Sequence, residues 1–150
     1  MSSEERQSPI RVLIVDDDIT SRYLAVEALA LAGIEISEAD HGAQALETLT
    51  AETLPDIVLL DVVMPIMDGF ETCARIRALE RVARLPVLMM TGLDDEESVN
   101  RAYEAGATDF VTKPVTPQLL LHKIRYMVRA GEATEQLVLS QHRLAAAQRI

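Results

Sequence analysis

The chain has 150 residues, 49% of them apolar, and 14 basic against 24 acidic side chains give a formal charge of −10. That length supports one domain with an appendage, and the apolar share supplies a full core and excludes a disordered chain. The acidic balance argues against sequence-independent binding of DNA or RNA, which needs a basic face, and no apolar run reaches the ~18–20 residues of a membrane span.

Cys73 is the only cysteine, which excludes an internal disulfide and fits a reducing compartment. Within ETCARIRAL, a helical pattern, it reads as a small buried apolar residue. The first ten residues, MSSEERQSPI, carry acidic side chains and no apolar core, unlike a signal peptide. A cytoplasmic location, a flexible stretch at 1–9 and no membrane contact are expected.

Short apolar runs then alternate with helical patterns. Residues 12–15 form a first strand that ends in three aspartates, Asp16, Asp17 and Asp18. Ile19, Tyr23, Val26 and Ala30 follow at helical spacing, and Gly33 closes that helix. Residues 34–39 are a weaker strand and 42–50 a short helix. Pro55 introduces a third strand, DIVLLD, and 69–79 are helical. Pro86 introduces a fourth, PVLMMT. Asp94 or Asp95 caps a helix whose first turn holds Glu96 and Glu97, favourable against its dipole. Gly106 closes it, and ATDFV is the fifth strand. Thr116 and Pro117 start a last helix with Leu120, Ile124 and Met127 on one face. His41, His122 and His142 have no ligand spacing, and Met64, Met67, Met89, Met90 and Met127 read as core or rim packing.

Five β–α repeats imply a parallel sheet with helices on both faces, because parallel strands need helical crossovers. The near-continuous apolar strands agree. The expected fold class is α/β, a doubly wound five-stranded parallel sheet with a C-terminal helical extension. Such sheets bind ligands beyond the carboxyl ends of their strands. Asp16 and Asp17 stand there on the first strand, Asp61 on the third, Thr91 on the fourth, and Lys113 follows the fifth; the second offers only Asp40 and His41.

These residue types match phosphoryl transfer one by one. A carboxylate such as Asp61 can attack phosphorus and become an acyl phosphate. The transfer then needs an in-line pose and positive charge on the phosphoryl oxygens. Asp16 and Asp17 can hold a hard divalent cation, Lys113 brings a second positive group, and Thr91 offers a hydrogen bond. Each has a plainer reading as a turn, cap or loop residue, but all of them fall at carboxyl ends of strands.

The spacing Asp16-x-Asp18-x-Thr20 also fits the nucleophile motif of haloacid-dehalogenase-type phosphatases. That reading leaves Asp61 idle, and no aspartate follows Asp109 to build the second acidic metal site. A flavodoxin-like nucleotide binder would need a glycine-rich phosphate loop, which is missing.

The segments VDDD, LLDVVMPIMDG, MMTG and the final KP, in this order and spacing, resemble the receiver domain of two-component response regulators over about residues 10–130. The resemblance implies a flavodoxin-like strand order 2-1-3-4-5. It implies Asp61 as phosphoacceptor, supplied by a histidine kinase or phosphotransfer protein. Mg²⁺, or Mn²⁺ in its place, would be held by Asp17, Asp61 and the backbone carbonyl of Val63, with Asp16 helping through water. Lys113 and Thr91 would contact the phosphoryl group, Thr91 and Phe110 would form the switch, and the bond before Pro114 would be cis. Val63 and Leu93 occupy the lifetime-tuning positions, and neither can orient a water, so slow self-dephosphorylation is expected.

Residues 131–150 read as a helical linker. Ala130, Leu137 and Leu144 repeat every seven residues, as do Ala133, Ser140 and Ala147, a weak coiled-coil seam. A homodimer is expected through the face of the fourth and fifth strands, the C-terminal helix, or both. From the end within a helix, the chain is expected to be a piece of a longer one. The segment GATDFVTKPVTPQLLLHKIRYMVRA with its tail resembles receivers that precede PAS and diguanylate-cyclase or phosphodiesterase modules, which implies cyclic-di-GMP turnover as output. The chain itself is then a switch and not an enzyme with a diffusible substrate. The alternatives are a metal-dependent phosphatase and a receiver-like module that signals without phosphate.

Overall fold

Five short runs, three of them dominated by apolar side chains, become strands in the computed structural model of the chain: Arg11–Val15 (β1), Glu35–Ala39 (β2), Ile57–Asp61 (β3), Val87–Thr91 (β4) and Asp109–Thr112 (β5). All pair in parallel, in the order β2-β1-β3-β4-β5. Five helices connect and follow them: Ile19–Leu31 (α1), Gly42–Thr48 (α2), Gly69–Ala78 (α3), Glu96–Glu104 (α4) and Pro117–Gln148 (α5). The structure describes residues 8–92 and 95–148. Most of the stretch expected to be flexible, the alternative cap Asp94 and the lifetime position Leu93 lie outside the described residues.

Alternation along each strand divides the core in two. Val12, Ile14, Ile57, Leu59, Leu88, Met90 and Val111 pack with Leu29 of α1 and with Leu120, Ile124, Met127 and Val128 of α5. Leu13, Val15, Val58, Leu60, Val87 and Met89 face the other way. They meet Ala45 of α2, Cys73 and Ile76 of α3, and Ala102 of α4. Both faces are therefore covered, as parallel strands require.

Each strand-to-helix loop is fastened by a side chain at the helix start. Asp18 accepts from Thr20 N, His41 from Gln44 N, Asp68 from Glu71 N, Asp95 from Ser98 N and Thr116 from Leu119 N. Each cap is worth about 1 kcal/mol. These loops lie at the carboxyl ends of the strands, so the caps stiffen that edge.

Three local expectations are corrected. The apolar spacing in α1 is only partly the buried one: Ile19 is 74% exposed and Tyr23 60%, while Val26 of that set, with Ala25 and Leu29 from outside it, meets the core. A 3-10 turn at Glu80–Val82, absent from the sequence reading, follows α3. β5 starts at Asp109, because Ala107 N is bound by the carbonyl of Ala102 as α4 closes. No helix among the described residues is long and apolar enough to cross a membrane.

The loop after β3 turns back sharply. Gly69 N donates to Val62 O at 2.8 Å, and a Cβ on Gly69 would lie 2.4 Å from Asp61 O and 2.7 Å from Val62 Cα. Both obstacles are backbone. At the tip, Met67 N donates to Pro65 O at 2.7 Å across Ile66, whose φ is +70°, a conformation costly for a β-branched residue.

Two substitutions in this loop are expected to act in opposite directions. Gly69→Ala should lose about 1–3 kcal/mol in urea unfolding. Ile66→Gly relieves the left-handed isoleucine and gives up no packing, since Ile66 is fully exposed; it should gain about 1 kcal/mol.

Candidate functional site

The carboxyl edge gathers Asp16, Asp17, Asp61, Thr91 and Lys113. Asp16 follows the last residue of β1 and is 1% exposed. Its N donates to Ala39 O at 3.1 Å, and its Oδ1 accepts from Asp18 N at 2.9 Å. Its carbonyl oxygen accepts from the guanidinium of Arg22, one turn into α1. The same guanidinium donates through Nε to Glu38 of β2 at 3.0 Å. Asp16 Oδ2 has no hydrogen-bond partner among the described residues; Lys113 Nζ lies 3.9 Å away, an ion pair without a hydrogen bond.

Asp61 closes β3, next to Met90 of β4 in register, and is almost fully buried. Lys113 N donates to Thr91 O at 2.7 Å, which ties the residue after β5 to the end of β4. The Lys113–Pro114 bond is cis. Lys113 Nζ reaches Asp61 Oδ1 at 2.6 Å. Thr91, buried at the end of β4, pairs in register with Thr112.

Burial pushes the Asp61 carboxyl above the ordinary aspartate range. The hydrogen bond from Lys113 works against this shift, and the negative charges of Asp16 and Asp17 add to it. The Lys113 ammonium thus pairs with two carboxylates, Asp61 and Asp16, with a third, Asp17, beside them. One oxygen from each of Asp16, Asp17 and Asp61 fits within 4.8 Å of the others. An all-oxygen donor set of this kind suits a hard divalent cation, and the buried, unpartnered Asp16 Oδ2 is an acceptor that such a cation would satisfy. The residues fit the group.

Asp18 is the N-cap of α1, its carboxylate occupied by Thr20 N, so it is not placed as the general acid that the phosphatase reading requires. Val63 lies exposed in the loop after β3. Phe110 is partly buried against the core beneath α2–α4, edge-on to Tyr103 with centroids 6.0 Å apart at 84°. Arg22 and Glu38 were missed in the sequence: sixteen residues apart, they belong to no motif. A groove of about 450 Å³ lies at the amino edge of the sheet, lined by Pro55, Leu85, Pro86, Tyr126 and Gly131. The carboxylate cluster is at the other edge.

Comparison with known proteins bears on this geometry. Residues 12–125 match the family described as response regulator receiver domain. The chain is 34% identical over 126 residues to the DNA-binding dual master transcriptional regulator RpaA of Synechocystis sp., covering 84% of this chain and 52% of that protein. It is 36% identical over 127 residues to the response regulator PleD of Caulobacter vibrioides, covering 85% of this chain and 28% of that one. The chain therefore spans about half the length of the first relative and little more than a quarter of the second. Its fold superimposes on the chemotaxis protein CheY4 of Vibrio cholerae with a TM-score of 0.76 and 32% identity, covering 80% of this chain and 99% of CheY4.

The raised carboxyl of Asp61 fixes the sign of a stability effect. The folded state binds this proton more tightly than the unfolded state, so the charged form costs stability at neutral pH. That cost is absent below the unfolded value of about 3.9 and complete above the raised folded value. Without metal, Asp61→Asn should raise the thermal midpoint by about 2 °C at neutral pH. The gain should vanish as pH falls through that window, as followed by circular dichroism in EDTA.

Proposed function

The chain belongs to the response regulator receiver domain family, and from that membership we propose that it is a phosphorylation-controlled switch in which Asp61 takes a phosphoryl group from the phosphohistidine of a histidine kinase or phosphotransfer protein. The observation that carries this reading is the 2.6 Å contact of Lys113 Nζ with Asp61 Oδ1, beside the carboxylates of Asp16 and Asp17. An Asp61 oxygen attacks phosphorus in line. The new P–O bond forms as the donor P–N bond breaks, and the imidazole leaves with the electron pair. Lys113 exchanges its contact with the carboxylate for one with a phosphoryl oxygen, and the Thr91 hydroxyl donates to another.

Asp17, Asp61 and the carbonyl of Val63 would hold Mg²⁺, or Mn²⁺ in its place, with Asp16 assisting. When bound, the cation supplies the positive charge that balances the carboxylates and the phosphoryl oxygens. The chain's own residues do the rest: Asp16 and Asp17 orient, Lys113 neutralises, and the buried end of β3 limits the attacking oxygen to one approach.

The phosphoryl group adds about two negative charges and shifts a two-state equilibrium by the contacts it makes in one state. Thr91 and Phe110 are the proposed switch pair, with Thr91 drawn to the phosphoryl group and Phe110 held inward. Val63 carries no polar group to orient a water, which supports slow self-dephosphorylation. Exposed Leu137 and Leu144 on α5 support pairing of two copies through that helix, alongside the face of β4 and β5. The resemblance of the segment from Gly106 onward supports a cyclic-di-GMP module as output. A DNA-binding output is the second reading, favoured by the name of RpaA.

Intact mass after incubation with Mg²⁺ and acetyl phosphate or phosphoramidate tests the assignment. One base-labile phosphate adduct is expected on the wild type and none on Asp61→Asn. Lys113→Ala should slow its formation about 10- to 100-fold. An adduct on Asp61→Asn would place the phosphoacceptor elsewhere. A half-life of seconds for the wild-type adduct would contradict slow self-dephosphorylation.

A further inference from the structure

Arg22 has no role in the chemistry above, yet it is tied to the backbone between the two metal-binding aspartates. Its guanidinium donates through Nη1 to the Asp16 carbonyl and through Nε to Glu38. Its side chain is 16% exposed. The Asp16 carbonyl belongs to the rigid peptide unit that joins Asp16 to Asp17, so whatever fixes that oxygen fixes the plane from which both side chains leave. Ala39 O holds Asp16 N, and Asp18 N holds Asp16 Oδ1. With these two bonds and Arg22, Asp16 keeps one acceptor unpartnered, Oδ2.

We propose that Arg22 is a positioning residue for the cation site. As a strut from α1 to the ends of β1 and β2, it fixes the peptide joining Asp16 and Asp17 and so presents both carboxylates. The inference rests on the reading of this cluster as a divalent-cation site. The planar guanidinium can hold a carbonyl and a carboxylate with separate N–H groups at once, which an ammonium on a flexible stem does less well. Glu38 also balances the charge of Arg22, so the strut brings little net positive charge to a place meant for a cation.

Charge and positioning predict opposite signs. If Arg22 acted through its charge, removing it would tighten Mg²⁺ binding. If it positions the aspartates, removing it weakens binding, and loss of such a supporting contact costs about 10- to 100-fold in metal affinity.

The test is a calorimetric Mg²⁺ titration of wild type, Arg22→Ala and Arg22→Lys. Circular dichroism in EDTA reports on the fold, and Arg11→Ala, which loses a pair with Glu35 at the start of β1, serves as charge control. The expected result is a Kd raised about tenfold or more by Arg22→Ala, raised less by Arg22→Lys and unchanged by Arg11→Ala. A Kd unchanged or lowered in Arg22→Ala overturns the proposal. If that variant does not fold, an unchanged or lowered Kd in Arg22→Lys does the same. A wild type that takes up no Mg²⁺ overturns the cation-site reading itself, a result distinct from binding that survives the loss of Arg22.

Discussion

Carboxylates repel one another, and this protein brings three of them to within 4.8 Å where its strands end. The strands leave little choice. The central strands, covered by helices on both faces, carry their polar groups at or just past their carboxyl ends, and parallel pairing sends every carboxyl end to the same edge. Among the described residues, the cation that reaches the Asp61 carboxylate comes from the far side of the sheet. Lys113 follows β5, two strands from β3, and spans the width of β4 to reach it. The position of the lysine, the tie from Lys113 N to Thr91 O and the closure of the loop at Gly69 all serve a charge balance that the aspartates cannot achieve alone.

The surrounding helices are not anchored equally. α5 buries Leu120, Ile124, Met127 and Val128, and α3 buries Thr72, Cys73 and Ile76. α4 buries Ala102 alone. Its other named holds are at the rim: Arg101 over the ring of Phe70 at 4.3 Å and Tyr103 edge-on to Phe110. Moving a helix costs the apolar surface it must expose, so α4 is the cheapest of these three to displace. It is also the helix entered directly from the loop after Thr91.

The sheet was legible in the sequence because burial on both faces writes its central strands as apolar runs, and Pro55 and Pro86 mark where two of them begin. The cluster was legible for a related reason: an aspartate that ends such a run has nowhere else to be. Side chains whose partners are remote were hidden. Arg22 reads as an ordinary helix charge and Glu38 as an ordinary strand charge until the fold sets β2 beside β1. The stripe of α1 was only partly legible because apolar residues occur all around that helix, so spacing alone could not separate Tyr23 from Leu29. The left-handed Ile66 was invisible because its residue type argues against the conformation that the loop imposes on it.

α5 runs unbroken from Pro117 to Gln148, 32 residues, and its path over the sheet's amino edge is close: a Cβ on Gly131 would come within 3.2 Å of Pro86. Past that crossing the helix continues for about 26 Å at 1.5 Å per residue. A continuous helix of this length behaves as a lever with its fulcrum at Gly131. A tilt of about 5° there would carry the far end through about 2 Å. The missing side chain at Gly131 sets how near to Pro86, and so to the fulcrum, the beam can sit.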